Sequence, residues 1–275
     1  GKSYFRTNGP EAHRFGLEPH FGCCTANFGQ GWPKLALSAF LRSGKGVHCA
    51  VPLPSAVSLE WKGVPVRVTL QTDYPFRNRL LFRVDATEKT DMELTVRIPS
   101  FARDLTVNGI PQKHRGILRF GGFPKGTTEI GICFEADPLL EGRPHRMHCL
   151  RYGSLIFSLP VQSEIRRVEY TRDGVERKYP YCDYDYQGVS DWNLAFACRN
   201  FRIEEGEVGE IPFSSTNPPL RIHTSMCHID WGLADGYERV CAPVPRSRKC
   251  LDKPAERILI PYGCAKLRMT EFPLV

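Results

Sequence analysis

The chain has 275 residues, 41% hydrophobic and 24% charged, with a formal net charge of +7. That length exceeds the ~100–200 residues of one ordinary domain and predicts two, while no apolar run approaches the ~18 residues of a membrane span. Basic residues interleave with acids in RRVEYTRDGVERK, and only PVPRSRKCLDKPAER concentrates them, without a nucleic-acid reader motif, so neither membrane nor nucleic acid is expected as a partner.

The first residues, GKSYFRTNGPEAHRFG, show no initiator methionine and no basic start followed by an apolar stretch. They predict no signal peptide, and the chain reads as one that opens within a domain. From Gly16 to Leu35 it runs GLEPHFGCCTANFGQGWPKL, with Cys23 and Cys24 side by side. Adjacent cysteines rarely bridge each other, because the small ring strains the disulfide. A thiolate is both a nucleophile and a soft zinc ligand, and a helix start lowers its pKa. Glu18 and His20 could then supply a ligand, a proton-transfer group or a substrate contact. Two buried structural thiols flanking a turn explain the same spacing, which lacks the two-residue loop of a zinc knuckle. With eleven cysteines, an odd number, and no repeated spacing, a disulfide framework is not expected, and unpaired thiols favour a reducing, cytoplasmic compartment.

Residues 32–42, WPKLALSAFLR, predict a helix: Pro33 suits its first turn, Leu35, Ala36, Ala39 and Phe40 recur at helical spacing, and Gly44 can stop it. After Gly46 short alternating runs take over. VSLEWKGVPVRVTLQ predicts two strands about a Lys62-Gly63 turn, RLLFRVDA and MELTVRIPS two more, and LTVNGIP a hairpin at Asn108-Gly109. Residues 116–135 add a pair, and 137–144 read as a connecting loop. From Leu150 the alternation restarts, which gives a mainly β fold of two antiparallel domains.

Other candidate sites are weaker. His145, His148 and Cys149 in HRMHC, and Cys227-His228, lack the second half of a zinc site and read as surface or core residues. Tyr179, Tyr181, Tyr184, Tyr186 and Trp192, with Asp183, Asp185 and Asp191 between them, suit sugar stacking, but alternation in a strand favours core packing; Trp61 and Trp231 read as core. No phosphate loop, G-x-S-x-G or H-E-x-x-H motif occurs.

Taken together, FGLEPHFGCCTANFGQGWPKL, LTVRIPSFARDLTVNG, LRYGSLIFSLPV, DWNLAF, PFSSTNPPLRI and LIPYGCAKLRMTEFP resemble the C-terminal part of the β-L-arabinofuranosidase family, glycoside hydrolase family 127. The resemblance implies an (α/α)6 barrel followed by β-sandwich domains. Residues 1–45 would be the last, helical piece of the barrel, 46–147 a first sandwich and 148–275 a second. It also implies a retaining glycoside hydrolase acting on L-arabinofuranosides or related plant-type glycans. Cys23 matches the nucleophile and a zinc ligand, and Cys24 the second thiolate ligand. The acid/base glutamate and the remaining zinc ligands would lie upstream, leaving this chain inactive alone. Active members commonly continue the pair as CCPPN, whereas this chain has CCTAN and looks like a different branch. The rival expectation is a non-catalytic carbohydrate-binding or structural module in which Cys23 and Cys24 are merely structural.

Overall fold

The computed structural model describes residues 14–16, 27, 29–113, 116–236 and 240–275. The protein is mainly β and divides into two compact units, residues 30–137 and residues 138–275 together with 1–29. The first described elements are a short strand, β1 (Arg14–Phe15), and helix α1 (Gly31–Leu37).

The 30–137 unit continues with β2 (Phe40–Ser43), β3 (Gly46–Cys49), β4 (Ser55–Trp61), β5 (Val64–Gln71) and β6 (Arg79–Ala86). It closes with β7 (Thr90–Arg97), β8 (Arg103–Val107), β9 (Ile110–Pro111), β10 (Ile117–Phe123) and β11 (Gly126–Glu135). Four strands form a sheet in the order β10-β7-β3-β2, and six form another in the order β4-β5-β6-β11-β8-β9. Period-two alternation makes these strands: Val66, Val68 and Leu70 of β5 and Leu80, Phe82 and Val84 of β6 are buried, while Arg67, Arg83 and Gln71 face water. Those side chains join Met92, Leu94 and Val96 of β7 in one hydrophobic cluster fed by both sheets. Each such buried side chain contributes about 1.5–3 kcal/mol.

Both expected hairpins form. Lys62 and Gly63 take φ 49° and 85°, and Asn108 and Gly109 take 48° and 78°, the left-handed pairs that a two-residue turn between twisted strands requires. Asn108 also accepts a hydrogen bond from the Gly131 N–H at 2.7 Å, which ties the turn to β11.

Three expectations need correction here. The helix ends at Leu37, and Phe40–Ser43 is a strand paired with β3, Phe40 facing Cys49. Phe40 gains more by packing against the core cluster than by continuing the helix, and Gly44 lies in the β2–β3 turn instead of at a helix end. Residues 138–143 form a strand paired with residues 147–152 where a loop is expected. Finally, the unit is not wholly antiparallel, since β3 runs parallel to β7. A parallel pair needs a long crossover, and β4, β5 and β6 of the other sheet fill it.

The other unit contains β12 (Pro138–Arg143), β13 (Met147–Tyr152), β14 (Leu155–Pro160), β15 (Ser163–Val168), β16 (Tyr170–Arg172), β17 (Val175–Arg177) and β18 (Asp183–Gly188). Then come β19 (Leu194–Phe196), β20 (Arg202–Glu205), β21 (Leu220–His228), β22 (Ala255–Pro261), β23 (Arg268–Met269) and β24 (Glu271–Pro273). A nine-stranded sheet runs β12-β13-β14-β22-β21-β19, with β20 also on β21, β23 on β14 and β24 on β13. A three-stranded sheet, β1-β18-β15, and the β16–β17 hairpin complete it. Strand β21 is central and largely buried along its length, and Phe196 of the neighbouring β19 meets Phe272 edge-on with centroids 5.5 Å apart.

Cys227, on β21, is disulfide-bonded to Cys250, which corrects the expectation of unpaired thiols at these two positions. Nothing in local spacing announces this bond, because 23 residues separate its ends. Among the described residues Cys49, Cys133, Cys149, Cys182, Cys198, Cys241 and Cys264 are free. Burial pushes the Cys49 thiol up to about 12, which makes it an inert core side chain.

Candidate functional site

Cys23, Cys24, Glu18 and His20, the candidate catalytic, zinc-binding and substrate-contacting residues, lie outside the described residues. The described residues that precede them in the chain are Arg14, Phe15 and Gly16. Arg14 pairs with Asp185 and Phe15 with Tyr184, so β1 adds to the edge of β18, and the Phe15 ring meets Tyr186 edge-on at 4.8 Å. Gly16 follows so close to β18 that a Cβ there would come within 2.0 Å of an Asp183 carboxylate oxygen. Any larger residue would force Asp183 to turn away. Strand β18 is itself fixed: Asp185 is 2% exposed, and the Arg166 guanidinium donates to it at 3.0 Å.

Elsewhere the structure separates what the sequence grouped. His145 and Arg146 adopt left-handed backbone, φ 59° and 56°, and Arg248 donates to both of their carbonyls at 2.6 and 2.7 Å. His148 is held below the ordinary imidazole range by burial and then by the charges of Arg199 and Arg248. HRMHC is thus a strained corner in which an arginine occupies the available acceptors. Of the aromatics, Trp192 packs edge-on against Trp231 at 5.5 Å and Tyr186 is buried, as core packing expects. Trp61 is buried too, its indole N–H donating to Asp91 at 2.9 Å. Tyr179 and Tyr181 differ from these in remaining exposed, with the Arg167 guanidinium 4.2 Å above the Tyr179 ring.

Among the described residues no group of three histidine, cysteine, aspartate or glutamate side chains is placed to hold a metal ion. Two thiolates from Cys23 and Cys24 would fill only half of a tetrahedral zinc site.

Sequence reasoning missed two ionic chains that cross the nine-stranded sheet. The first is centred on His223, whose Nε2 lies 2.8 Å from Glu204 and whose Nδ1 lies 3.1 Å from Glu256, with Arg221 and Arg202 flanking these carboxylates at 3.2 and 3.5 Å. His223 holds both carboxyls below their ordinary range. The second is centred on His228, whose Nδ1 lies 2.6 Å from Asp252 and Nε2 3.1 Å from Asp191. The Asp252 hydrogen bond is the chief reason that this imidazole sits above its usual range, and Asp252 is lowered in return. Asp252 also accepts from the His228 backbone N–H at 2.9 Å, beside the Cys227–Cys250 bond, so this is a fastening of the 250–252 segment to β21. The partners stand 17 to 54 residues apart, and no local pattern could have shown them.

The fold defined so far is a mainly β protein of two units. Residues 46–118, from β3 into β10, match the family described as β-L-arabinofuranosidase, GH127 middle domain. The chain is similar over 92% of its length to a GH127 β-L-arabinofuranosidase from Geobacillus stearothermophilus T6, at 15% identity and a TM-score of 0.59, covering 37% of that chain. A second similar structure is a glycoside hydrolase, at 14% identity and TM-score 0.55, with 96% of this chain and 44% of that one covered. A third is a GH127 β-arabinofuranosidase, at 14% identity and TM-score 0.53, with 96% and 41% covered. No curated protein matches. Residues 46–118 thus match the GH127 middle domain, and the chain resembles the family's C-terminal part and spans 37–44% of the length of these structures.

Proposed function

We propose that this chain is the C-terminal portion of a retaining glycoside hydrolase acting on L-arabinofuranosides or related plant-type glycans, with Cys23 as its nucleophile. The observation that carries the reading is the GH127 middle-domain match over residues 46–118, within a fold shared along almost the whole chain. In this reading the two units are the family's β-sandwich domains and α1 is the last piece of its helical barrel. The exposure of α1 supports that: none of its residues is buried, and Trp32 and Leu37 are 67% and 78% exposed.

The chemistry follows from the thiol. A Cys23 thiolate attacks the anomeric carbon, a C–S bond forms, and the glycosidic C–O bond breaks as a carboxylic acid protonates the leaving oxygen. Water then displaces the sulfur with a second inversion, which gives net retention and returns the thiolate. Cys24, beside it, is the second thiolate proposed for zinc, while Glu18 and His20 are the proposed substrate contacts. The acid/base carboxyl and further metal ligands belong to the part of the enzyme that this chain does not cover, so the chain alone is expected to be inactive.

The test is an assay of the protein encoded by the whole open reading frame on a panel of chromogenic pentosides, together with its zinc content. The reading expects arabinofuranoside hydrolysis that Cys23→Ala abolishes. Hydrolysis that survives Cys23→Ala removes the cysteine mechanism, and a folded protein inactive on every pentoside removes the enzyme reading.

A further inference from the structure

The 138–275 unit carries a cavity of about 670 Å³, open to solvent on one side and within the range of sites for small organic ligands. Its walls come from the start of β15, from β18, from the 213–218 segment and from the 260–267 turn. Three observations show a shaped site. The 260–267 turn is held rigidly, since the Val161 N–H donates to the Leu267 carbonyl at 3.0 Å and the Arg268 guanidinium donates to the carbonyls of Ala265 and Lys266 while stacking on Tyr262. The 213–218 segment is folded on its own serine, Ser214 Oγ accepting from the N–H groups of Thr216 and Asn217 at 3.3 Å. Between them the Phe213 ring lies so close to Gly263 that a Cβ there would come within 2.6 Å of it.

The charge is one-sided. Lys266 and Arg221 line the cavity and no aspartate or glutamate does. Arg221 is engaged with Glu204, but the Lys266 ammonium has only a neutral partner, the Tyr186 hydroxyl at 3.1 Å, with the ring of the same tyrosine 5.6 Å away. Among the described residues it pairs with no carboxylate. The side chains of Gln162, Ser163 and Ser215 also line the cavity, and among the described residues none of them hydrogen bonds to protein. Cys264 is not a reactive group here, because burial pushes its thiol up to about 11.

We propose that this cavity binds a carboxylate-bearing sugar, a uronic acid residue. Lys266 pairs with the carboxylate, Phe213 offers a ring wall, and Gln162, Ser163 and Ser215 take the hydroxyls. An ammonium whose protein partner is the neutral Tyr186 hydroxyl is open to pairing with an anion, and the free amide and hydroxyl groups suit a ligand rich in donors and acceptors. The site does not depend on the cysteine chemistry, so its failure and the failure of the hydrolase reading are separately visible.

The experiment is a ligand-observed NMR titration of this chain with methyl galacturonoside, with methyl galactoside and with acetate. The uronide is expected to saturate, with the neutral glycoside and acetate each at least about tenfold weaker. Lys266→Met, at an exposed position, should leave the melting temperature unchanged and weaken the uronide by about tenfold, and Gln162→Ala by about threefold. Equal binding of the neutral glycoside, equal binding of acetate, an unaltered Lys266→Met or no saturation by the uronide would each overturn the proposal.

Discussion

The two units are stabilised differently. Residues 30–137 depend on alternating apolar strands and two-residue hairpins, with one cluster that draws Phe82, Val68, Ile132 and Met92 from both sheets. Residues 138–275 place charged groups across their largest sheet, fasten the 250–252 segment with a disulfide and leave long irregular stretches between β20 and β21 and between β21 and β22. The first arrangement follows from hydrophobic period and turn chemistry. The second depends on partners distant in sequence, and its cavity is walled largely by loops, whereas the one in residues 30–137 is walled by strands β4, β5, β6 and β11. Loops held by specific polar bonds can build a pocket wall.

The largest effect expected from this contrast is Phe82→Ala. The ring is fully buried, so truncation should cost about 3–5 kcal/mol, read as lost hydrogen-exchange protection in peptides of β5, β6 and β11. A loss confined to those strands, with β3, β7 and β10 of the other sheet unchanged, would contradict a core shared by both sheets. Next is the double variant Cys227→Ala, Cys250→Ala, expected to cost about 2–4 kcal/mol in peptides of β21 and the 250–252 segment. Full alkylation of these two cysteines without a reductant would show that the bond is absent. Asn108→Ala removes the bond to Gly131 and leaves a left-handed position without its favoured residue, an expected loss of about 1–2 kcal/mol confined to β8, β9 and β11.

The smallest effect is a pH dependence of the second unit. The folded His228 value lies above the unfolded one of about 6.5, so its contribution is complete below that pH and lost as pH rises through the raised value. Asp252, Glu204 and Glu256 are held low, so their contributions are present above about pH 4 and lost as pH falls through the lowered values. Exchange protection of β21 should therefore decline on both sides of mildly acidic pH, and His228→Asn should flatten the alkaline side. An alkaline decline that survives His228→Asn would assign it to another group.

Legibility in the sequence followed the same division. The Lys62-Gly63 and Asn108-Gly109 turns and the strands around them were readable because two adjacent residues decide each turn and a period of two decides each strand. The same signal at Asp173-Gly174, with φ 51° and 74°, went unread beneath the charges of RRVEYTRDGVERK, although it makes the β16–β17 hairpin. Phe40 shows the opposite failure: helical spacing was present, but a core position on a paired strand outweighed it. The candidate nucleophile came from the GLEPHFGCCTAN resemblance alone, and the approach to it along β1 was not legible, because Arg14, Phe15 and Gly16 take their places from Asp185, Tyr184 and Asp183 far along the chain. The cavity stayed hidden for a similar reason, since its walls join β15, β18 and two separate turns.

The central claim, a cysteine nucleophile at position 23, is tested most directly by trapping. The protein encoded by the whole open reading frame would be treated with an activated arabinofuranoside carrying a thiol-reactive warhead, then digested and mapped by mass spectrometry. A single pentosyl adduct on the peptide containing Cys23, absent after Cys23→Ala, is the predicted result. An active enzyme that carries its adduct on any other residue would contradict the account.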